Sequence, residues 1–330
     1  MTSLSPSSGP LAGGQSVTIT GTGFTGATAV TIGGTPATGV TAVSATSITA
    51  TTPPGSAGTA SVLVTTTSGT NAGNTLYMYR NLLGSAPGSS APVVTPSNGI
   101  VNGASFAPGL VSGAWTTISG TNLAKSTRDW ADAIGLDGAF PTTLDGVSVT
   151  IDGKPAFISY ISPSQLNIQV PDLGGNTGPV SVVVKTADGE SVPSTAIATQ
   201  ELPGLFTYRL NGETYPAAVR ADSTVIGPVG APGVVPAKPG DMVLFFGTGF
   251  GPTSPAVAPG KVFSGAAPLV SPVSMRIGGV PVTLAFAGLS SSGLYQFNVI
   301  IPELPNGERP VEMQINGVSI QGGIVFAVQR

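Results

Sequence analysis

The sequence contains no cysteine and no histidine. The first absence removes thiol nucleophiles and disulfides, the second removes imidazole bases, and together they remove nearly all zinc chemistry. Charge is scarce as well: 8% of residues are Asp, Glu, Lys or Arg, where an ordinary soluble domain has about 25%. From Met1 to Tyr79 there is none, and Arg80 is the single charge before Lys125. The first segment therefore has no carboxylate for acid–base chemistry and no cationic cluster for phosphate backbones. The formal net charge of -3 disfavours a polyanion partner, so nucleic acid is not expected. No run approaches the roughly 20 apolar residues that cross a bilayer. The start, Met1-Thr2-Ser3-Leu4-Ser5-Pro6, lacks the basic and apolar regions of a signal peptide. Two compartments fit that start: the cell interior, or the outside with an export signal removed or lying beyond this chain.

Glycine and proline are abundant: Gly 47 and Pro 30 make 77 of 330 residues, which argues against a helical protein. Hydrophobic residues at 41% suffice for packed cores and argue against disorder. Internal repetition then decides the fold class. Three segments align without gaps: Gly14-Gln-Ser-Val-Thr-Ile-Thr-Gly-Thr-Gly-Phe24, Gly113-Ala-Trp-Thr-Thr-Ile-Ser-Gly-Thr-Asn-Leu123 and Gly240-Asp-Met-Val-Leu-Phe-Phe-Gly-Thr-Gly-Phe250. A second block follows in each as Val30-Thr-Ile-Gly-Gly-Thr-Pro-Ala37, Val149-Thr-Ile-Asp-Gly-Lys-Pro-Ala156 and Met275-Arg-Ile-Gly-Gly-Val-Pro-Val282. Each reads as strand, tight turn, strand. A third block ends in Pro53, Pro171 and Pro302, and a fourth is a strand at Ala60–Thr65, Val180–Lys185 and Val311–Asn316. Short Val/Ile/Thr strands between Gly/Pro turns are the pattern of β-sandwiches. The paired positions Val17/Ile19, Thr116/Ile118 and Val243/Phe245 are expected to face inward.

The copies differ at one loop. Copies two and three carry insertions, 124–144 and 251–271, at the same place, and long loops in compact domains are often functional. In the first, Ser126-Thr127-Arg128-Asp129 resembles a capping box leading into Trp130–Ile134, with Gly135 as a stop, which predicts a helix. Residues 84–92 read as a spacer.

On these blocks, residues 1–80 resemble an IPT/TIG domain, the immunoglobulin-like module of cell-surface receptors, some transcription factors and many bacterial surface proteins. Residues from about 100 to 330 resemble a bacterial domain of unknown function found at the C-terminal end of large secreted proteins. The marks are Val101-Asn-Gly-Ala-Ser-Phe106, Tyr160-Ile-Ser-Pro-Ser-Gln-Leu-Asn167, Phe246-Gly-Thr-Gly-Phe-Gly-Pro252 and Gly293-Leu-Tyr-Gln-Phe-Asn298. The resemblance implies an exported bacterial protein without an assigned activity.

Several individual motifs admit both a functional and a plainer reading. Gly21-Thr-Gly23-Phe-Thr-Gly26 has the G-x-G-x-x-G form, but a β-rich Ala27–Ile32 follows it and no carboxylate is near, so its glycines serve a strand crossing. Asp129, Asp132, Asp137 and Asp145 crowd one insertion, a pattern open to calcium or to a carboxylate pair on a sugar; the plainer reading makes Asp129 a cap and the other two Asp-Gly pairs turns. Trp115 lies on the face opposite Thr116 and Ile118, as a sugar platform or, in the plainer reading, a prop beneath the insertion or a neighbouring domain. Trp130, within the insertion, is the better binding candidate, with loop anchoring as its alternative. Tyr160 and Tyr295 read as core or corner tyrosines. A hydroxyl nucleophile would need a lysine base, yet Lys125, Lys154, Lys185, Lys238 and Lys261 sit in turn or solvent-facing contexts. A Lys–Asn isopeptide is open to copies two and three, and no spacing selects a pair.

The reading is an all-β chain of three tandem Ig-like, E-set-type β-sandwiches: residues 1–83, a linker at 84–92, then 93–205 and 206–330. Its function is non-enzymatic, structural or adhesive, at the bacterial surface, with self-association into a filament or layer or contact with neighbouring domains of a larger chain. The alternative is a carbohydrate-binding accessory segment of a larger secreted polysaccharide-acting enzyme, with surface polysaccharide as partner. No catalytic, cofactor or metal residue is assigned and no membrane insertion is expected. The interaction candidates are Trp115, Trp130, Asp129 and Asp132.

Overall fold

The computed structural model describes residues 1–11, 13–56, 58–80 and 90–330; most of the expected linker, residues 84–89, lies outside them. The described residues contain β-strands and turns and no helix, and so no helix long and apolar enough to cross a membrane. They divide into two compact units, Met1–Ser89 and Ser90–Arg330.

The first unit is a sandwich. One sheet orders Ser3–Ser5, Ser16–Thr20, Ser47–Thr51 and Thr38–Ser44; a second orders Gly69–Thr70, Val62–Thr66, Ala27–Ile32 and Thr35–Pro36, and a third, smaller one orders Ser8–Pro10, Tyr77–Arg80 and Gly58–Ala60. Strict alternation along Ser16–Thr20 buries Val17 and Ile19 and exposes the residues between them. They meet Val30, Ile32, Ile48, Val62 and Tyr77 in one core.

The second unit contains two cores. Around one, Trp115–Thr121 pairs with Gln165–Gln169, which pairs with Phe157–Ile161, while Val147–Ile151 and Gly178–Thr186 form the facing sheet. Around the other, Met242–Thr248 pairs with Leu294–Ile300 and that with Thr283–Ser291, facing Val273–Ile277 and Gly307–Ile315. The aligned blocks occupy the same register in all three places. Val17 and Ile19 stand opposite Ala50 and Ile48, Thr116 and Ile118 opposite Ile168 and Leu166, and Val243 and Phe245 opposite Val299 and Phe297. All six of the paired positions are buried.

The hairpin turns follow their chemistry. At Asp152-Gly153 both residues take positive φ, 47° and 75°, as the two-residue turn demands; Gly33-Gly34 and Gly278-Gly279 do the same in the other copies.

Two expectations are corrected. The helix over 126–135 does not form: Arg128–Asp129 is a short strand paired with Tyr160 and Ile161, and one turn follows, closed by Ala133 N–H to Trp130 O at 2.8 Å. Residues that would supply the first helical turn are spent on sheet pairing, and Gly135 N–H instead bonds to Ala139 O. Tertiary pairing outweighs a local helix propensity of roughly a few tenths of a kcal/mol per residue. Tyr295 is buried as expected, but Tyr160 follows a bulge in its strand and stays half-exposed.

Candidate functional site

The two insertions meet each other. Ala139 and Lys261 form an antiparallel bridge, with Phe140 N–H to Gly260 O and Val262 N–H to Gly138 O, both at 2.8 Å. Gly260 lies over the Phe157 ring with φ +90°, where a Cβ would come within 2.2 Å of that ring. Beneath it the buried Gln169 donates from Nε2 to Gly113 O at 3.0 Å and accepts at Oε1 from Gly260 N–H at 2.9 Å. Trp115 adds a second tie. Its N–H donates to Thr248 Oγ1 at 3.0 Å, its indole Nε1–H to Ser292 O at 3.1 Å, and Thr248 in turn donates to Gly293 O. Asn102, in the Val101–Phe106 motif, donates to Leu202 O and accepts from Ala104 and Ser105 N–H. The copies around the two cores are therefore bolted together by buried polar pairs.

Beside this junction lies a groove of about 340 Å³ on the outward face of the Trp115–Thr121, Gln165–Gln169 and Phe157–Ile161 sheet. Strand alternation puts Trp115 and Thr117 on that face, with Gln165, Asn167 and Gln169 on the next strand. Trp130, Ser159, Phe206 and Gly103 also line it. The two indoles meet edge to face, centroids 5.3 Å apart at 78°, and Trp130 leans on the buried Phe140 at 4.3 Å. Both tryptophans of the chain are thus here, each half-buried. At the base, Asn167 Oδ1 accepts from Thr117 Oγ1 at 3.2 Å and Gln165 Nε2 at 2.9 Å, and Ser159 Oγ donates to Asn167 O at 3.0 Å. None of the lining residues is charged.

Of the interaction candidates, Trp115 and Trp130 come together in this groove and Asp129 and Asp132 do not line it. Asp129 accepts from Ala131 N–H at 2.9 Å and Asp132 pairs with Arg128 at 2.7 Å. Asp145 also pairs with Arg128, and Asp137 accepts from Ala139 N–H and faces Lys261. Hydrogen bonding to Arg128 holds the Asp132 carboxyl below its ordinary range, and the Ala139 N–H, then Lys261, do the same for Asp137. Asp132 and Asp145 share Arg128 while Asp129 and Asp137 bond elsewhere, and among the described residues no three acidic groups converge as a cation site. Lysines also go elsewhere than to asparagine: Lys125 to Asp188, Lys185 to Glu190, Lys154 to Asp172 O. Burial raises the Tyr295 phenol, whose O–H donates to Gly251 O.

Asn167, Thr117, Ser159 and Phe206 were not anticipated. One signal was available, the alternation Gln165-Leu-Asn167-Ile-Gln169, which places three amides on one outward face. The third copy repeats the device, Gln296 Nε2 donating to Asn298 Oδ1 at 2.7 Å, without a tryptophan beside it. A second cavity, about 430 Å³, lies between the two copies and is lined by Val111, Leu289, Val257, Tyr295 and Asp172 among others.

Residues 1–79 and 105–200 match the IPT/TIG domain family. No curated protein matches the chain. Among solved structures, it is similar to the SGBP-B protein of the Bacteroides ovatus mixed-linkage glucan utilization locus, in complex with a mixed-linkage heptasaccharide, at 12% identity and TM-score 0.35, over 98% of this chain and 65% of that one. It is also similar to SGBP-B from a complex xyloglucan utilization locus in Bacteroides uniformis, at 13% identity and TM-score 0.22 over 96% and 93%. A third is the plexin A4 extracellular region, at 14% identity and TM-score 0.24 over 96% and 29%. The chain spans less than two thirds of the first of these proteins.

Proposed function

The chain belongs to the IPT/TIG domain family, and from that premise we propose that it is a non-enzymatic, exported module that binds polysaccharide at the Trp115/Trp130 groove. In this reading residues 93–205 and 206–330 are two sandwiches of the bacterial C-terminal segment that terminates large secreted proteins, and the module serves a longer protein. The observation that carries the reading is the composition of the groove: two half-buried indoles and Phe206 around Asn167, Thr117 and Ser159, on a rigid sheet, with no ionisable side chain. An indole face suits the C–H-rich face of a pyranose, while amide and hydroxyl groups suit its rim. Pockets that orient a ligand commonly combine apolar walls with a few placed polar groups. The lining has no carboxylate pair of the kind that glycoside hydrolysis uses, which supports binding without turnover at this groove.

The test is retention of the purified chain in affinity gels carrying a panel of neutral and charged polysaccharides, with Trp130→Ala as comparison. Retardation by at least one polysaccharide, lost in Trp130→Ala, is the expected result; no retardation by any member of the panel refutes the function. A second reading, self-association, draws on the edge strand Thr38–Ser44, which has no charged residue and leaves Val43 62% exposed. Such edges pair with other chains unless blunted, and sedimentation across a range of concentrations checks it.

A further inference from the structure

Resting on that reading, we infer that the groove selects an uncharged polysaccharide and takes one pyranose ring, through a hydrogen-bonding surface whose donors and acceptors are set in advance. Asn167 is the centre of the argument. Its Oδ1 already accepts two hydrogen bonds, from Thr117 and Gln165, which fixes the plane of the amide and commits its acceptor. Its Nδ2 donors have no partner among the described residues, and neither has the Trp130 indole N–H. Among the described residues no buried side-chain nitrogen or oxygen lacks a partner, so both donors meet solvent. The hydroxyls are polarised the other way. Thr117 and Ser159 have given their protons to Asn167 Oδ1 and Asn167 O, and what they retain is lone pairs.

The groove therefore offers donors from Asn167 and Trp130 beside acceptors from Thr117 and Ser159. A sugar hydroxyl both donates and accepts and answers the two kinds of group at once. A carboxylate only accepts; it would satisfy Asn167 but set its lone pairs against those of Thr117 and Ser159. The lining holds no cation to compensate. Arg128, two residues from Trp130, is held by Asp132 and Asp145, and the exposed Asp129 beside Trp130 adds a negative charge. An anion desolvated without a counter-charge is costly, and the chain as a whole repels polyanions at net -3. An ammonium sugar finds no carboxylate among the lining residues. The count of one ring follows from the indoles: at 78° to each other, they cannot both lie flat against consecutive sugars of one extended chain.

Because both tryptophans of the chain stand at the groove, their emission reports occupancy directly. The experiment is a fluorescence titration of the whole chain with oligosaccharides of neutral glucan, xylan and mannan, of polygalacturonate and alginate, and of chitosan, at low and high salt. At least one neutral oligosaccharide is expected to shift the emission, with an affinity changing less than twofold between about 0.05 and 0.5 M salt, because no ion pair is made. Asn167→Asp keeps the bonds from Thr117 and Gln165 and exchanges the free donors for an acceptor; it should fold normally and weaken binding by about tenfold or more. Asn167→Gln, which keeps a donor but moves it, should fall between. Saturable, salt-sensitive binding of a uronate or of chitosan, with the neutral series inert, overturns the inference while leaving polysaccharide binding intact. Unchanged affinity in a folded Asn167→Asp chain also overturns it. Silence with every class fails the parent reading instead.

Discussion

Gln169→Ala tests whether the junction of the two copies in Ser90–Arg330 is held by the buried polar pairs described above. Gln169 is 2% exposed, and its amide bridges Gly113 O at 3.0 Å and Gly260 N–H at 2.9 Å. Truncation deletes two hydrogen bonds, each contributing about 0.5–1.5 kcal/mol net, and leaves the buried Gly260 N–H without its acceptor, at about 1–3 kcal/mol. Part of the second penalty is the same energy counted from the other side, and water reaching the space recovers some of it. A loss of about 2–4 kcal/mol remains, or roughly 4–16 °C in Tm for a unit of this size. Denaturant unfolding of the full chain followed by tryptophan emission reads it directly, since Trp115 lies across the strand pair from Gln169. Gln169→Glu separates bonding from packing. Its carboxylate retains the Gly260 bond but opposes the Gly113 carbonyl, so its folded pKa rises above the unfolded value. The folded state then holds the proton more tightly than the unfolded one, and the variant regains stability as pH falls and loses it as pH rises through the folded pKa. A loss under about 0.5 kcal/mol for Gln169→Ala, the scale of an unremarkable surface change, would falsify the claim that this amide clamps the junction.

Gly260→Ala should destabilise the same unit by about 3 kcal/mol or more, because a Cβ there falls 2.2 Å from the Phe157 ring at a φ of +90°; the thermal midpoint is the readout, and a neutral effect means the loop is free to move. Ile19→Ala, at a residue with no exposed surface, is expected to cost the first unit about 2–5 kcal/mol by calorimetry. Asp132 should titrate below its ordinary 3.8, with the contribution to stability present above that value and disappearing as pH falls through the folded pKa; in Arg128→Gln the midpoint read by carboxyl NMR should move up toward the ordinary value. Reversing Lys261 to Glu, opposite an Asp137 that is 64% exposed, should alter stability by less than about 1 kcal/mol in chemical denaturation.

Much of the architecture was legible without coordinates because it depends on local rules. Alternation along Ser16–Thr20, Trp115–Thr121 and Met242–Thr248 places one set of side chains inward wherever a sheet forms, and Asp152-Gly153 or Gly33-Gly34 accept the positive φ of a tight hairpin whatever surrounds them. The same alternation put Trp115 on the face opposite Thr116 and Ile118. The fate of the insertions was not local. Ser126–Gly135 carries a helix-start pattern, yet Arg128–Asp129 finds an open strand edge at Tyr160–Ile161 within its own copy, and Ala139 finds Lys261 in the next; both partners are distant in sequence and are decided by tertiary packing. The groove is equally non-local, drawing Gly103, Trp115, Thr117, Trp130, Ser159, Asn167 and Phe206 from six strands and loops. Sequence periodicity states which face of a strand a residue takes. Only the folded chain decides which strands share that face, what insertion crosses it, and whether an outward asparagine such as Asn167 stands beside indoles or, as at Asn298, without them.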